Sequence, residues 1–259
     1  MCRWMAVLLA IAMFAGCRDN GLAAVPNGYP ETRYTEESAR IADFSQGAPQ
    51  GFWARDDRGN GYPFDCEFRR SNAVIQDGLL TLHLTQGSQK PIGAEYRTWQ
   101  TYSYGFFSVS MKPAKGSGVI SSFFLYTNRP WDEIDIEFLG NDTTKVQFNY
   151  YTNGKGGHEY VYDLGFDASE DFHEYAFEWR EDAIIWYVDG KAVYAATEDI
   201  PSTPGHIMVN LWNLSEDRTD WAGKFDPSKL PLAAQYEWFG YQSAESASDI
   251  QKILNGVTL

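Results

Sequence analysis

Acidic and apolar residues alternate along residues 131–140, which read WDEIDIEFLG. Successive side chains of a β-strand point to opposite faces, so Glu133, Asp135 and Glu137 share one face. Neighbouring carboxylates resist ionising together, so three of them on one face lower the stability of the fold. A catalytic role explains their presence better than a structural one. Two carboxyl groups hydrolyse a glycosidic bond when one attacks the sugar or activates water and the other protonates the leaving oxygen. The pattern therefore predicts a carbohydrate-cleaving site on this strand.

The spacing of the acids is compatible with either stereochemical outcome. On a regular strand the Cα atoms of Glu133 and Glu137 lie about 13 Å apart. Enzymes that retain the anomeric configuration hold their two carboxyl groups about 5–5.5 Å apart. Two long side chains on a twisted face can lean together, so the spacing permits this mechanism without deciding it. Trp131 lies on the same face and is predicted to border the site.

Residues 133–140 resemble the active-site strand of glycoside hydrolase family 16, most closely that of the bacterial lichenases, which are endo-β-1,3-1,4-glucanases. The resemblance covers roughly residues 41–241. It implies that Glu133 is the nucleophile, Glu137 the general acid/base and Asp135 a helper. Five further segments carry the resemblance: MKPAK at 111–115, VQFNYYTNG at 146–154, LGFDAS at 164–169, WYVDG at 186–190 and IPSTPG at 200–205.

Strand parity and the resemblance together select the residues that would hold the sugar. Along residues 146–151, the odd-numbered side chains share one face, and along 207–212 the even-numbered ones do. A Glu95–Arg97 pair has a simpler explanation as an ordinary ion pair on one strand face. The predicted substrate-binding set is Asn60, Glu95, Arg97, Phe124, Tyr126, Trp131, Asn149, Tyr151, Asn210 and Trp212.

Period-two runs of apolar residues recur between about residues 70 and 241. Two hairpin turns are indicated, at Asp77-Gly78 and at Asp189-Gly190. Many short strands with Gly- and Asp-rich turns predict an all-β protein of two antiparallel sheets packed as a sandwich. The resemblance narrows this to a jelly-roll β-sandwich with a concave substrate groove.

Composition limits the partners of the protein. At 259 residues, the chain fits one large domain, and its formal net charge is −14. That charge argues against nucleic acid or an anionic membrane surface and favours a neutral β-glucan polysaccharide. His158, His173 and His206 lack metal-ligand spacing, so no metal or other cofactor is expected in catalysis. The resemblance implies one structural calcium, with Glu237 where relatives carry Asp, and a monomer is expected.

The N-terminus of the chain is predicted to direct export. Residues 1–17 read as a signal peptide of the lipoprotein type, in which an apolar run ends at Cys17 and that cysteine is acylated. Ordinary cleavage after Ala24 is the alternative. We expect a linker at 18–40, the catalytic domain at 41–241 and a tail at 242–259. The protein would then be extracellular or a cell-surface lipoprotein, held at a membrane only by the lipid.

The chain departs from the lichenase pattern at two places. The resemblance implies a disulfide from Cys66 to a position that is Gly93 here, so Cys66 is predicted to be a buried free thiol. The missing bridge would close a loop of about 28 residues, worth about 3–4 kcal/mol. The loop Thr127 to Pro130 is about four residues shorter than in relatives, beside the predicted groove.

Three alternatives stay open on the sequence alone. Laminarinases of the same family carry an extra residue before the last Glu, whereas only Ile136 separates Asp135 from Glu137. Xyloglucan-type transglycosylases share the short motif but add a cysteine-bearing extension. The jelly roll also serves glycan-binding lectins, which need no catalytic acids.

Overall fold

The computed structural model describes residues 40–57 and 59–244. The predicted signal peptide at 1–17, Cys17 and the linker, except for its last residue, lie outside the described residues, as does the tail beyond residue 244. Those boundaries and the lipid on Cys17 stay predictions. In the described part of the chain, no helix is long and apolar enough to cross a membrane.

Sixteen strands account for most of the described chain, and one short helix, α1 (Thr219–Ala222), follows the fifteenth. The first eight strands are β1 (Arg40–Asp43), β2 (Phe52–Ala54), β3 (Glu67–Phe68), β4 (Ala73–Gln76), β5 (Leu79–Leu84), β6 (Ile92–Thr98), β7 (Gly105–Lys112) and β8 (Val119–Thr127). The others are β9 (Asp132–Leu139), β10 (Lys145–Tyr151), β11 (Tyr160–Asp163), β12 (His173–Trp179), β13 (Ile184–Val188), β14 (Lys191–Ala196), β15 (His206–Asn213) and β16 (Leu232–Ser243).

The strands form two sheets of eight. One sheet, here the groove sheet, has the order β11-β10-β9-β8-β15-β6-β2, with β3 beside β6. The other, the back sheet, has the order β14-β13-β12-β7-β16-β5-β4, with β1 beside β16. All pairings are antiparallel except the two-residue contact of β3 with β6. The predicted jelly-roll sandwich is confirmed.

Alternation of apolar residues explains which face of each strand is buried. Leu80, Leu82 and Leu84 on β5 are fully buried in the core between the sheets, as the period-two pattern predicts. Both predicted hairpin turns form: Asp77-Gly78 joins β4 to β5 and Asp189-Gly190 joins β13 to β14. All four turn residues have positive φ, which a two-residue hairpin turn with the twist of its strands requires.

Buried polar groups of the back sheet also hold the groove sheet in place. The indole Nε1 of Trp186 donates a hydrogen bond to the backbone carbonyl of Asp135 at 3.1 Å. The hydroxyl of Tyr236 donates to the carbonyl of Ser122 at 3.2 Å. Because both donors come from core side chains, they fix the strand backbones beneath the acids to the opposite sheet.

Cys66 is buried and free, as the sequence predicts. Burial raises the pKa of its thiol to about 12, so the thiol stays protonated and unreactive at neutral pH. Gly93 lies directly beside it, since a Cβ built on Gly93 would be 3.0 Å from the sulfur of Cys66. The same Cβ would be 2.4 Å from the backbone oxygen of Leu211, so a side chain at position 93 needs a backbone shift.

Candidate active site

The acidic stretch forms β9, in the middle of the groove sheet. Its apolar side chains, Ile134, Ile136 and Phe138, are fully buried in the core, so the three acids point out of the opposite face. The start of β9 is fixed by Asp132, whose buried carboxylate accepts hydrogen bonds from the backbone N–H groups of Asn153, Ser202 and Thr203. Core packing and loop contacts therefore hold the acids in a fixed register.

Strand register arranges the groove side chains in three rows across the sheet, because residues directly opposite one another share a face. The Glu133 row consists of Tyr151, Glu133 and Tyr126. The middle row consists of Asn149, Asp135, Phe124, Met208, Arg97 and Trp53, one from each of six adjacent strands. The Glu137 row consists of Gln147, Glu137, Ser122, Asn210 and Glu95.

All thirteen residues predicted as catalytic or substrate-binding line one groove of about 410 Å³ over these rows. Each acid is the second residue of its row, next to the side chain from β10. The ten predicted substrate-binding residues are distributed around the acids, from Tyr151 on β10 to Arg97 on β6 and Asn60 on the loop between β2 and β3. Their roles toward a sugar stay predictions, but the structure brings all of them to one surface.

Glu133 is half-buried and hydrogen-bonded on its strand face. The indole Nε1 of Trp131 donates to its Oε2 at 2.6 Å, and the Trp131 ring stacks on Tyr151 with centroids 4.6 Å apart. Asp135 shares a further hydrogen bond with Glu133. Burial raises the pKa of Glu133, and the hydrogen bonds from Trp131 and Asp135 lower it in part. Both bonds thus favour the ionised form of Glu133, which a nucleophile requires.

Asp135 lies between the two glutamates and holds a proton. Burial raises its pKa well above the ordinary value, and the charges of Glu133 and Glu137 raise it further. A protonated Asp135 is a hydrogen-bond donor, and Glu133 is its acceptor. The arrangement keeps the proton of this pair on Asp135, which leaves Glu133 negative.

Glu137 is held by a series of side-chain hydrogen bonds that begins on helix α1. The Gln147 amide Nε2 donates to Glu137 Oε2 at 3.1 Å, and the Gln147 oxygen accepts from Trp221 Nε1 at 3.1 Å. The indole donor fixes which end of the amide faces the acid. Burial and the charge of Glu133 raise the pKa of Glu137, while Gln147 lowers it in part. The net direction keeps a proton on Glu137, as a general acid needs.

Glu95 forms an ion pair, and one of its two carboxylate oxygen atoms has no hydrogen-bond partner. Its carboxylate is fully buried, 3.2 Å from Arg55 Nη1 and 3.7 Å from Arg97 Nη1. The Oε1 atom of Glu95, Nε of Arg97 and Oδ1 of Asn149 are buried without a hydrogen-bond partner. Buried polar groups are nearly always paired, so these three atoms are suited to hydroxyl groups of a bound ligand. The ion-pair explanation and the binding explanation of Glu95 and Arg97 are therefore compatible.

A cluster of aromatic rings lies on the Glu137 side of the groove. Trp212 stacks on Phe64 with ring centroids 3.8 Å apart and lies 6.0 Å from Trp221. Asn210, its neighbour on the same face of β15, accepts a hydrogen bond from Ser122. Asn60 accepts one from Arg55, which links it to the Glu95 ion pair. Aromatic faces beside amide groups suit a neutral sugar, which presents both C–H and hydroxyl surfaces.

Sequence reasoning missed several groove residues. Gln147 already lay on the predicted groove face, so its parity was a usable signal. Arg55 follows a strand of only three residues, which gives no periodicity to read. Trp221 comes from a four-residue helix and reaches Gln147 across 74 residues of sequence, so no local pattern could place it.

The structural calcium that the resemblance implies would lie near Glu237. Calcium in proteins takes six to eight oxygen ligands. Within residues 40–57 and 59–244, no group of three or more acidic, histidine or cysteine side chains is placed to share an ion. The Glu237 carboxylate accepts a hydrogen bond from Ser110 Oγ at 2.6 Å. Side chains alone therefore do not make a calcium site around Glu237, and the structural calcium stays a prediction.

We expect Asp135→Ala to lower kcat/KM by roughly 10- to 100-fold, since a hydrogen bond to a charged group contributes about 1.5–3 kcal/mol. Loss of this donor raises the pKa of Glu133, so the acidic limb of the pH–kcat/KM profile should move to higher pH. Asp135→Asn is the matched control, because its amide keeps a donor and should leave the limb near the wild-type position. An acidic limb that stays in place in Asp135→Ala would contradict the role given to Asp135.

Comparison with known proteins shows which family the chain is similar to. The family described as glycosyl hydrolases family 16 matches residues 60–239. A β-glucanase of Paenibacillus macerans is 54% identical over 190 residues, covering 71% of this chain and 79% of that protein. A crystal structure of a β-1,3-1,4-glucanase (lichenase) from a mouse hindgut metagenome superposes with a TM-score of 0.74 at 50% identity, covering 78% of this chain and 97% of that one.

Some relatives are much longer than this chain. A xylanase/β-glucanase of Ruminococcus flavefaciens is 47% identical over 244 residues, which are 89% of this chain but 29% of that protein. A β-glucanase of Acetivibrio thermocellus is 52% identical over 73% of this chain and 58% of its own length. The chain thus spans about a third to just over half of these two relatives. The matched residues 60–239 include every residue that lines the groove except Arg55. The chain belongs to glycosyl hydrolases family 16.

Proposed function

We propose that this protein is an endo-acting retaining β-glucanase that hydrolyses β-1,4 bonds in mixed-linkage β-1,3-1,4-glucans. The observation that carries the proposal is that Glu133, Asp135 and Glu137 lie side by side on one strand of a groove whose rows continue on both sides of that strand. The β-glucanase and lichenase names of relatives near 50% identity support the substrate class.

The reaction follows from the protonation states of the acids. Ionised Glu133 attacks the anomeric carbon while Glu137 gives its proton to the leaving glycosidic oxygen, which forms a glycosyl ester on Glu133. Glu137, now ionised, takes a proton from water, and the resulting hydroxide attacks the same carbon and releases Glu133. Asp135 keeps its hydrogen bond to Glu133 through both steps and limits the charge that builds up between the acids.

The position of the acids supports cleavage within a long chain. The middle row continues on both sides of β9, to Asn149 on β10 and across β8, β15 and β6 to Trp53 on β2. A polysaccharide that lies along the row therefore has sugar-binding surface on each side of the scissile bond. The groove also contains Glu159 beside the three acids, so an anionic polysaccharide would be repelled and a neutral glucan is favoured.

Substrate preference tests the proposal. We expect purified protein to release reducing ends from barley β-glucan and lichenan much faster than from laminarin, a β-1,3-glucan, or from acid-swollen cellulose, an uncharged β-1,4-glucan. The mixed glucan differs from both of these polymers in the kink that a β-1,3 linkage makes between β-1,4-linked units. A reducing-end assay at equal polymer mass measures this. Faster release from laminarin than from lichenan would overturn the substrate assignment and favour the laminarinase alternative.

The cellular location is a separate proposal. The signal-like residues 1–17 with Cys17 at the end of the apolar run support export and a lipid anchor, with residues 18–40 as a linker. An exported location suits an enzyme whose substrate is an insoluble or high-molecular-weight polysaccharide.

A further inference from the structure

Trp99 is the most exposed large apolar side chain in the described part of the chain. Its exposed fraction is 65%, and only Tyr62 and Val161 are comparable, at 52% and 53%. Tyr62 lines the groove already described. Trp99 does not line it, so the groove does not explain why an indole ring is presented to solvent. Exposed aromatic groups in an ordered position often mark a binding surface.

Trp99 is held in place by Trp53. The two rings stack with centroids 5.1 Å apart and an interplanar angle of 24°. The backbone N–H of Trp99 donates to the carbonyl of Gly51 at 2.8 Å, which ties this position to the segment that leads into β2. Stacking on a half-buried neighbour limits the freedom of the exposed ring, so binding a ligand there costs little further ordering.

The Trp53–Trp99 pair continues the groove. Trp53 is directly opposite Arg97 in the pairing of β2 with β6, so it is the last member of the middle row. The guanidinium of Arg97 lies 5.1 Å from the centre of the Trp53 ring, and Arg97 itself lines the groove. Four strand spacings separate β9 from β2, which places Trp53 about 19 Å from the acids across the sheet.

A glucan chain fits this position. The row presents the acids first, then Phe124 and Met208, then Arg97 and the indole pair at the sheet edge. A flat apolar ring binds the C–H face of a pyranose without needing charge, and the sugar hydroxyls stay in water. A long neutral polysaccharide that lies along the row would contact Trp99 at the edge of the sheet.

We propose that Trp99, supported by Trp53, is a distal sugar-binding subsite that holds the part of the glucan extending beyond Arg97. The proposal rests on the proposed function for the identity of the glucan. It implies that the protein favours long chains over short ones through a contact remote from the reacting atoms. Cleavage of a short substrate does not use this contact.

The test compares Trp99→Ala, Trp99→Phe and Val74→Ala with the wild type. Val74→Ala is the matched control, since Val74 on β4 is opposite Thr81 on the outer face of the back sheet, away from the groove. One readout is retardation in native gels that contain barley β-glucan, with Glu133→Gln added to every protein so that the polysaccharide is not cleaved. The other, measured without Glu133→Gln, is the ratio of kcat/KM for barley β-glucan to that for a chromogenic glycoside of the β-1,3-linked glucose disaccharide, a substrate too short to reach Trp99.

We expect Trp99→Ala to weaken binding and to lower the ratio by about 3- to 10-fold, the size of one lost aromatic contact. Trp99→Phe should lie between Trp99→Ala and the wild type, and Val74→Ala should match the wild type. Binding and ratio unchanged in Trp99→Ala, or equally reduced in Val74→Ala, would overturn the subsite. Binding that depends on Trp99 in a protein that does not cleave barley β-glucan would uphold the subsite and overturn the proposed function instead.

Discussion

Replacing either catalytic glutamate should nearly abolish hydrolysis. We expect Glu133→Gln and Glu137→Gln each to lower kcat on barley β-glucan by about 10³-fold or more, because each removes a distinct covalent or proton-transfer step. The fold should survive, since neither side chain packs in the core and glutamine has the same shape. Circular dichroism and thermal melting measure the fold, and a reducing-end assay measures turnover.

A matched control for this prediction is available in the same groove. Glu159 lines the groove and, like Glu133, raises the pKa of Glu137 by its charge, but it lies outside the acid strand. Glu159→Gln should therefore keep far more activity than either catalytic variant. Activity near that of the wild type in Glu133→Gln or Glu137→Gln would exclude the assignment.

Added azide separates the two roles. In Glu133→Ala, azide can occupy the space of the lost carboxylate and attack the sugar once, so an activated substrate should give the α-glycosyl azide. In Glu137→Ala, Glu133 still forms the glycosyl ester, and azide then displaces it, so the product should be the β-glycosyl azide. The same azide anomer from both variants would show that the roles are misassigned.

Much of the fold was predictable because its signals are local. The alternation at Leu80, Leu82 and Leu84 and the turn residues at Asp77-Gly78 each act within a few residues, and the structure confirms both. The groove faces of β10 and β15 were predicted for the same reason, since parity along one strand fixes which side chains leave the core.

The contacts that tune the acids could not be predicted, because they join distant parts of the chain. The bond of Trp221 to Gln147 depends on how α1 docks after β15, and the bond of Trp186 to the Asp135 carbonyl depends on the packing of the two sheets. The Trp53–Trp99 pair likewise depends on the register of β2 with β6. Sequence alone identified the acids, while the protonation order of the acids follows from burial and from these remote donors.

The protonation order also makes a stereochemical prediction. Burial and neighbouring charge keep the proton on Glu137 and Asp135, while donors from Trp131 and Asp135 favour an ionised Glu133. An ionised carboxylate beside the sugar attacks the anomeric carbon itself, and water then displaces it from the other face. Two inversions at one carbon restore the original configuration, so hydrolysis should retain the β-anomer.

Proton NMR of the anomeric region during the first minutes of barley β-glucan digestion tests this account most directly. The account predicts that the newly formed reducing ends appear first as the β-anomer and that the α-anomer grows in later, at the rate of spontaneous mutarotation. Initial formation of the α-anomer would show a single displacement by water, and it would contradict the role of Glu133 as the nucleophile.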